Sequence, residues 1–244
     1  MCGRYASTKD PAKLAAEFAA VDATGSAAPG ADYNVAPTKS VFSVVARHSD
    51  DETERSVRVM RWGLVPHWAK SASIGSKMIN AKSETVTSKP AFRSSIKRKR
   101  CLIPADGWYE WKREGTAKQP YFMTPPDGSS LAMAGIWSTW RDPEAGEDAQ
   151  PLVSCSVLTT DAVGQLTEIH ERMPLLLPTS AWSHWLDPEA VDVSDLLGPP
   201  PQDLVESLEL RPVSTAVNNV RNNGVELLER VDPIAAPVGL DRDS

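Results

Sequence analysis

The chain has 244 residues, at the upper end of a single domain, and its 41% hydrophobic and 24% charged content suits a protein with a packed core of its own. Three widely spaced cysteines, Cys2, Cys101 and Cys155, with no CxxC pair, argue against a disulfide framework and a zinc site, so no metal and no cofactor are expected. A net charge of −6 argues against an evenly basic nucleic-acid binder, and no apolar run nears the roughly 18 residues of a membrane span, so a cytoplasmic protein without membrane contact is expected.

In chain order, the first element is "MCGRYAST", with a cysteine at position 2. Removal of the initiator methionine would give Cys2 a thiol and an α-amine on adjacent carbons. The ordinary pKa values, about 7.7–8.0 for the amine and about 8.5 for the thiol, leave both partly reactive near neutral pH. With an aldehyde the amine forms a Schiff base and the thiol closes it to a thiazolidine. Arg4 beside the thiol is expected to favour the thiolate. Taken alone, a second-position cysteine carries no such meaning.

"KDPAKLAAEFAA" (9–20) predicts a helix capped by Asp10, with Pro11 in its first turn and Leu14 and Phe18 on one face. β-branched and aromatic residues predict strands over 41–47, 55–63, 100–115 and 152–160. Residues 120–137 predict a hairpin about Pro126-Asp127-Gly128. Residues 141–150 read as a solvated loop. Short helices are expected over 179–187 and on either side of "GPPP" (198–201), and 233–244 as a frayed tail. With no repeat and no linker, the expected fold is one α+β domain, mostly strand, with peripheral helices.

Four stretches are too polar for packing alone. "INAKSET" (79–85) clusters Asn80, Lys82, Ser83 and Glu84 after the Trp-rich "RWGLVPHWAK" (61–70); it reads as an Asx turn or as a polar site, and Trp68 as core or as a stacking platform. In "DGWYEWK" (106–112), a strand places Trp108 and Glu110 on one face and Tyr109 and Trp111 on the other. If the first face lines a pocket, desolvation raises the Glu110 pKa and makes it a usable acid/base; otherwise Glu110 faces water. His170 in "TEIHERMP" (167–174) reads equally as an acid/base or as a buried hydrogen-bond partner. "FRSSIKRKR" (92–100) holds five Lys/Arg and no acid, a basic face or a solvated surface loop.

Seven segments in order, "MCGRY", "YNVAPT" (33–38), "RWGLVPHW" (61–68), "NAKSET" (80–85), "CLIPADGWYEW" (101–111), "IHERMP" (169–174) and "RPVSTAVNNVRN" (211–222), closely resemble the SOS-response-associated peptidase family of abasic-site-processing proteins. The resemblance implies an α+β domain over 2–231 around a strand-rich, barrel-like mixed sheet, with 232–244 a flexible tail. It implies monomeric action on single-stranded DNA containing abasic sites, at replication forks, with association to the nucleoid when bound. The mature N-terminal cysteine would capture the ring-opened sugar as a thiazolidine DNA–protein crosslink that protects the lesion.

Carried over by position, Cys2 is the nucleophile and Asn80 bonds near the sugar and the N-terminal amine. Glu110 moves protons, and His170 assists sugar ring opening and crosslink reversal. Arg4, Asn34, Trp68, Lys82 and Arg172 fall on the DNA-binding side. The family commonly has Asn-Ala-Arg where this chain has Asn80-Ala81-Lys82; lysine keeps the charge and loses the planar fork toward phosphate. The peptidase label implies self-cleavage at the N-terminus. Two rivals remain: an N-terminal-nucleophile cysteine hydrolase using His170 and Glu110, and a non-catalytic single-strand binder.

Overall fold

The computed structural model describes residues 2–49, 52–146 and 148–234. Its strands are β1 (Tyr5–Ser7), β2 (Val21–Asp22), β3 (Asp32–Val35), β4 (Ser40–Ser49), β5 (Glu52–Trp62), β6 (Asn80–Lys82), β7 (Arg100–Ala105), β8 (Gly107–Glu114), β9 (Ala117–Thr124), β10 (Leu131–Trp140), β11 (Leu152–Asp161), β12 (Arg172–Pro174) and β13 (Glu209–Pro212). The helices are short: α1 (Pro11–Glu17), α2 (Ser95–Arg98), α3 (Trp182–Leu186) and α4 (Gln202–Glu206). Asp10 caps α1 by accepting from Lys13 N, as its sequence predicts.

A five-stranded sheet runs β13-β9-β8-β1-β3, and a larger one runs β12-β11-β10-β7-β4-β5-β2 with β6 added beside β11. β5 also pairs in parallel with β11, through Ser154↔Arg61 and Cys155↔Trp62, so the larger sheet closes on itself. This is the expected barrel-like α+β core. Val41 to Val45 of β4 are buried on both faces, and four of these five residues are apolar. Phe42 and Val44 pack in a core with Leu14 and Phe18 beside α1 and Trp182 and Trp185 of α3. Val41 and Val45 pack in a second core with Cys2, Tyr5, Trp62 and Trp108, against the smaller sheet.

Two sequence expectations fail, and for one reason: the chain changes sheets. The single strand expected over 100–115 is two, β7 in the larger sheet and β8 in the smaller. The break at Asp106-Gly107 is pinned by Asp106 N donating to Ala6 O and by Thr8 N donating to Asp106 Oδ2. The hairpin expected over 120–137 is likewise absent, because β9 and β10 lie in different sheets and the proline turn carries the chain between them. The hairpin forms instead between β8 and β9, closing at Glu114↔Ala117.

Gly63 orients the approach to β6. Its φ is +116°, and a Cβ there would strike the main chain of Gly75, so the segments at 63 and 75 touch only without side chains. Leu64 N then donates to Met78 O, and Val157 N to Ile79 O, setting Asn80 alongside Val157 of β11.

The basic stretch divides. Arg100 is 3% exposed, and its guanidinium donates to the carbonyls of Trp185, Ile96, Lys97, Asp187 and Ala190, so it is a core fastener. Arg93, Lys97 and Arg98 are exposed. Toward the end of the chain, Val231 N donates to Pro212 O just ahead of the expected tail, and Ile234 N donates to Gln119 Oε1, which ties that tail residue to the body. The rest of that tail, 235–244, lies outside the described residues. No helix among the described residues is long and apolar enough to cross a membrane.

Candidate active site

Cys2 sits just ahead of β1 and is fully buried. Its carbonyl accepts a 2.7 Å hydrogen bond from Asn80 Nδ2 at the head of β6. Asn80 Oδ1 is buried and, among the described residues, accepts no hydrogen bond. Asn80 therefore belongs to a short strand, with its amide bound to residue 2 on one side and an open acceptor on the other.

β1 runs antiparallel to β8, with Tyr5 opposite Trp108. Two residues further along β8, on the face of Trp108, Glu110 is 3% exposed. That face lines a pocket, as one of the two sequence readings had it. Trp108, Glu110, Met123, Leu166 and His170 form a crevice too narrow to hold a water molecule. Burial lifts the Glu110 carboxyl to about 7. Trp108 contributes a second feature, a buried Nε1–H with no acceptor among the described residues. Sequence periodicity already put Trp108 beside Glu110, but gave no sign that the indole donor is left open.

The Cys2 thiol is held neutral. Burial, and next the neighbouring Glu110, push its pKa far above the ordinary thiol range. This corrects the expectation of a thiolate favoured by Arg4. The Arg4 guanidinium is turned away, donating to Asn34 Oδ1 at 2.7 Å and Val217 O at 2.8 Å, and only its backbone N–H acts on the sulfur.

His170 lies in the turn before β12, where Arg172 N–H donates to its Nδ1 at 2.9 Å. Burial lowers its pKa from the usual value, so the ring is neutral at pH 7. Among the described residues no group of three or more His, Cys, Asp or Glu could hold a metal ion.

The residues expected to contact DNA divide into two groups. Asn34 is fully buried and its Nδ2 donates to Asn219 O and Asn222 O, clamping "YNVAPT" to "NNVRN". Arg172 is 8% exposed and bonds Glu84, Asp161 and Thr159 O. Internal partners thus occupy both side chains. Arg4 is half-buried and similarly engaged. Lys82 is exposed on β6, and Trp68 is 51% exposed, so Trp68 is not core. Taken together, the site joins a neutral thiol, an amide, an imidazole and a carboxyl that titrates near neutrality, a set suited to moving protons around sulfur and nitrogen.

The sequence matches the SOS response associated peptidase (SRAP) family over residues 1–220. It is 38% identical over 201 residues to the abasic site processing protein YoqW of Bacillus subtilis, covering 81% of this chain and 85% of that one. It is 34% identical over 230 residues to the abasic site processing protein HMCES of Gallus gallus, covering 82% of this chain and 66% of that one. The fold is similar to a crystal structure of a Bacteroides thetaiotaomicron protein, with a TM-score of 0.81, 26% identity and coverage of 94% and 100% of the two chains. A Bordetella bronchiseptica protein matches with a TM-score of 0.70 at 27% identity, over 87% of this chain and all of that one. With its ordered motifs and closed mixed sheet, the chain belongs to the SOS response associated peptidase family.

Proposed function

We propose that this protein processes abasic sites in single-stranded DNA by capturing the ring-opened sugar on Cys2. The observation that carries the reading is the joining of Cys2, Asn80 and Glu110: an amide bound to the residue 2 carbonyl, an Asn80 acceptor beside it with no donor among the described residues, and a buried carboxyl with a pKa of about 7 acting on the same thiol. The abasic-site-processing names of the relatives point the same way.

Loss of Met1 turns the Cys2 amide nitrogen into a nucleophilic amine, and Asn80 Oδ1 is the acceptor available to orient it. The amine adds to the sugar aldehyde, and the resulting carbinolamine loses water to give an imine. The thiol then adds its sulfur to the imine carbon and its proton passes to nitrogen, closing the thiazolidine. One water is lost overall and nothing is oxidised. A neutral thiol suits this sequence, because Glu110 can take the proton at the moment of attack and earlier deliver one to the departing hydroxyl. His170 assists sugar ring opening. Trp68 supplies a surface on which a base stacks, and Lys82 with Arg93, Lys97 and Arg98 supplies cations for phosphates. The protein acts as a monomer on the exposed strand at a replication fork, associated with the nucleoid. Residues 2–231 make up the working domain.

The same residues offer an N-terminal-nucleophile peptidase, including self-removal of residue 1. A cysteine peptidase depends on a thiolate, and the raised Cys2 pKa supports that reading less well. Cys2→Ser separates them. The serine amine still forms an imine but lacks the sulfur for the ring, so its adduct should be trapped by borohydride and fall apart on heating without it. A serine adduct as heat-stable as that of the unsubstituted protein would refute the thiazolidine.

A further inference from the structure

His170 Nδ1 has two neighbours that make opposite demands. Arg172 N–H lies 2.9 Å away and needs a lone pair there, whereas Arg172 O lies 3.2 Å away and could only accept from a protonated Nδ1. The strand pairing decides between them. In an antiparallel ladder, bonded and non-bonded pairs alternate. Ala162 N donates to Glu171 O, which makes the next pair, Asp161↔Arg172, a non-bonded one. The Arg172 N–H therefore points away from β11, and β12 is the edge strand of its sheet. The imidazole nitrogen supplies the acceptor that the ladder does not, and a buried N–H is costly to leave without one.

Residue 172 is itself fixed. Its guanidinium bonds both oxygens of Glu84, Asp161 Oδ1 at 2.6 Å and Thr159 O at 2.7 Å. Ser83 N also donates to Thr159 O, so the turn after Asn80 shares this anchor.

We propose that Glu84 and Asp161 are positioning residues: through Arg172 they hold His170 as the tautomer with an acceptor Nδ1 and a protonated Nε2, so that the ring meets its substrate as a hydrogen-bond donor and not as a base. Applied to sugar capture, this rests on the function proposed above. The Nε2–H then serves the oxygen on which negative charge gathers as the sugar ring opens, and Glu110 is left to exchange protons with the carbinolamine and the thiol.

The test is a long-range proton–nitrogen NMR correlation on the full chain at neutral pH, run beside an adduct-rate assay with an abasic oligonucleotide. The unsubstituted protein should show Nδ1 of His170 unprotonated and Nε2 protonated; the reverse pattern overturns the proposal. Glu84→Gln should mix the tautomers and slow adduct formation roughly ten- to a hundredfold, the scale on which misorientation acts, with binding to an intact oligonucleotide unchanged. A folded Glu84→Gln protein that keeps the pure tautomer rules out the brace, whatever its rate. If thermal unfolding shows that variant to be unfolded, Asp161→Asn, at an exposed carboxylate, takes its place with the same two outcomes. A wild-type protein that forms no adduct would refute the proposed function, while the NMR pattern would still decide the tautomer.

Discussion

Glu110 titrates near neutrality because Trp108, Met123 and Leu166 keep water from its carboxyl. If its carboxylate is the base for thiol attack, the adduct rate should climb through about pH 7 and then level, following that group. Glu110→Gln should flatten this rise and lower the rate by about 10²–10⁴-fold, read from single-turnover gels across pH. An unchanged profile would remove Glu110 from the chemistry. Stability carries the opposite signature. Between the ordinary value of 4.5 and about 7, the folded chain holds a proton that the unfolded chain has released. The folded state is thus favoured below that window and loses stability as pH rises through it. Urea titrations of the unsubstituted protein and of Glu110→Gln should differ in that slope. Position 110 also shows how far a sequence can be read: strand periodicity put Glu110 and Trp108 on one face, but only the fold shows what closes over them. The thiol was misjudged for a related reason, since Arg4 is next to Cys2 in sequence while its guanidinium is spent on Asn34 and Val217.

At the scale of elements, the clearest case is Arg100 at the start of β7. Within "FRSSIKRKR" it reads like its neighbours, but its donors hold the carbonyl ends of α2 and the residues at and after the end of α3. Arg100→Met should destabilise the fold by about 2–4 kcal/mol, because several buried carbonyls lose a charged donor at once. Chemical denaturation measures this, and a loss below about 0.5 kcal/mol, the surface norm, would contradict it. Arg93→Gln, at an exposed position, should leave stability unchanged and weaken binding to single-stranded DNA. The helix at Pro11–Glu17 and the long strands were legible because cap, proline and apolar pattern agree locally. The breaks at 106–107 and 125–130 were not, because alternation looks the same whether or not a chain passes from one sheet to another.

Across the whole molecule, the site is assembled from segments remote in sequence. Asn80 meets Cys2, and His170 shares a crevice with Glu110. The four groups were identifiable by their motifs, but their joining depends on the closed sheet that sets β6 against β11 and on the β1–β8 pairing. Asn34 shows the limit: nothing in "YNVAPT" announces that its side chain ties down a segment some 185 residues away. The central claim, that residue 2 captures an abasic sugar through both amine and thiol, is tested most directly by intact mass. The purified protein is weighed before and after incubation with a single-stranded oligonucleotide carrying one abasic site. The account predicts a starting mass without Met1 and a heat-stable species at protein plus DNA minus one water, absent with an intact oligonucleotide. No such species from protein with a confirmed free Cys2 would contradict it.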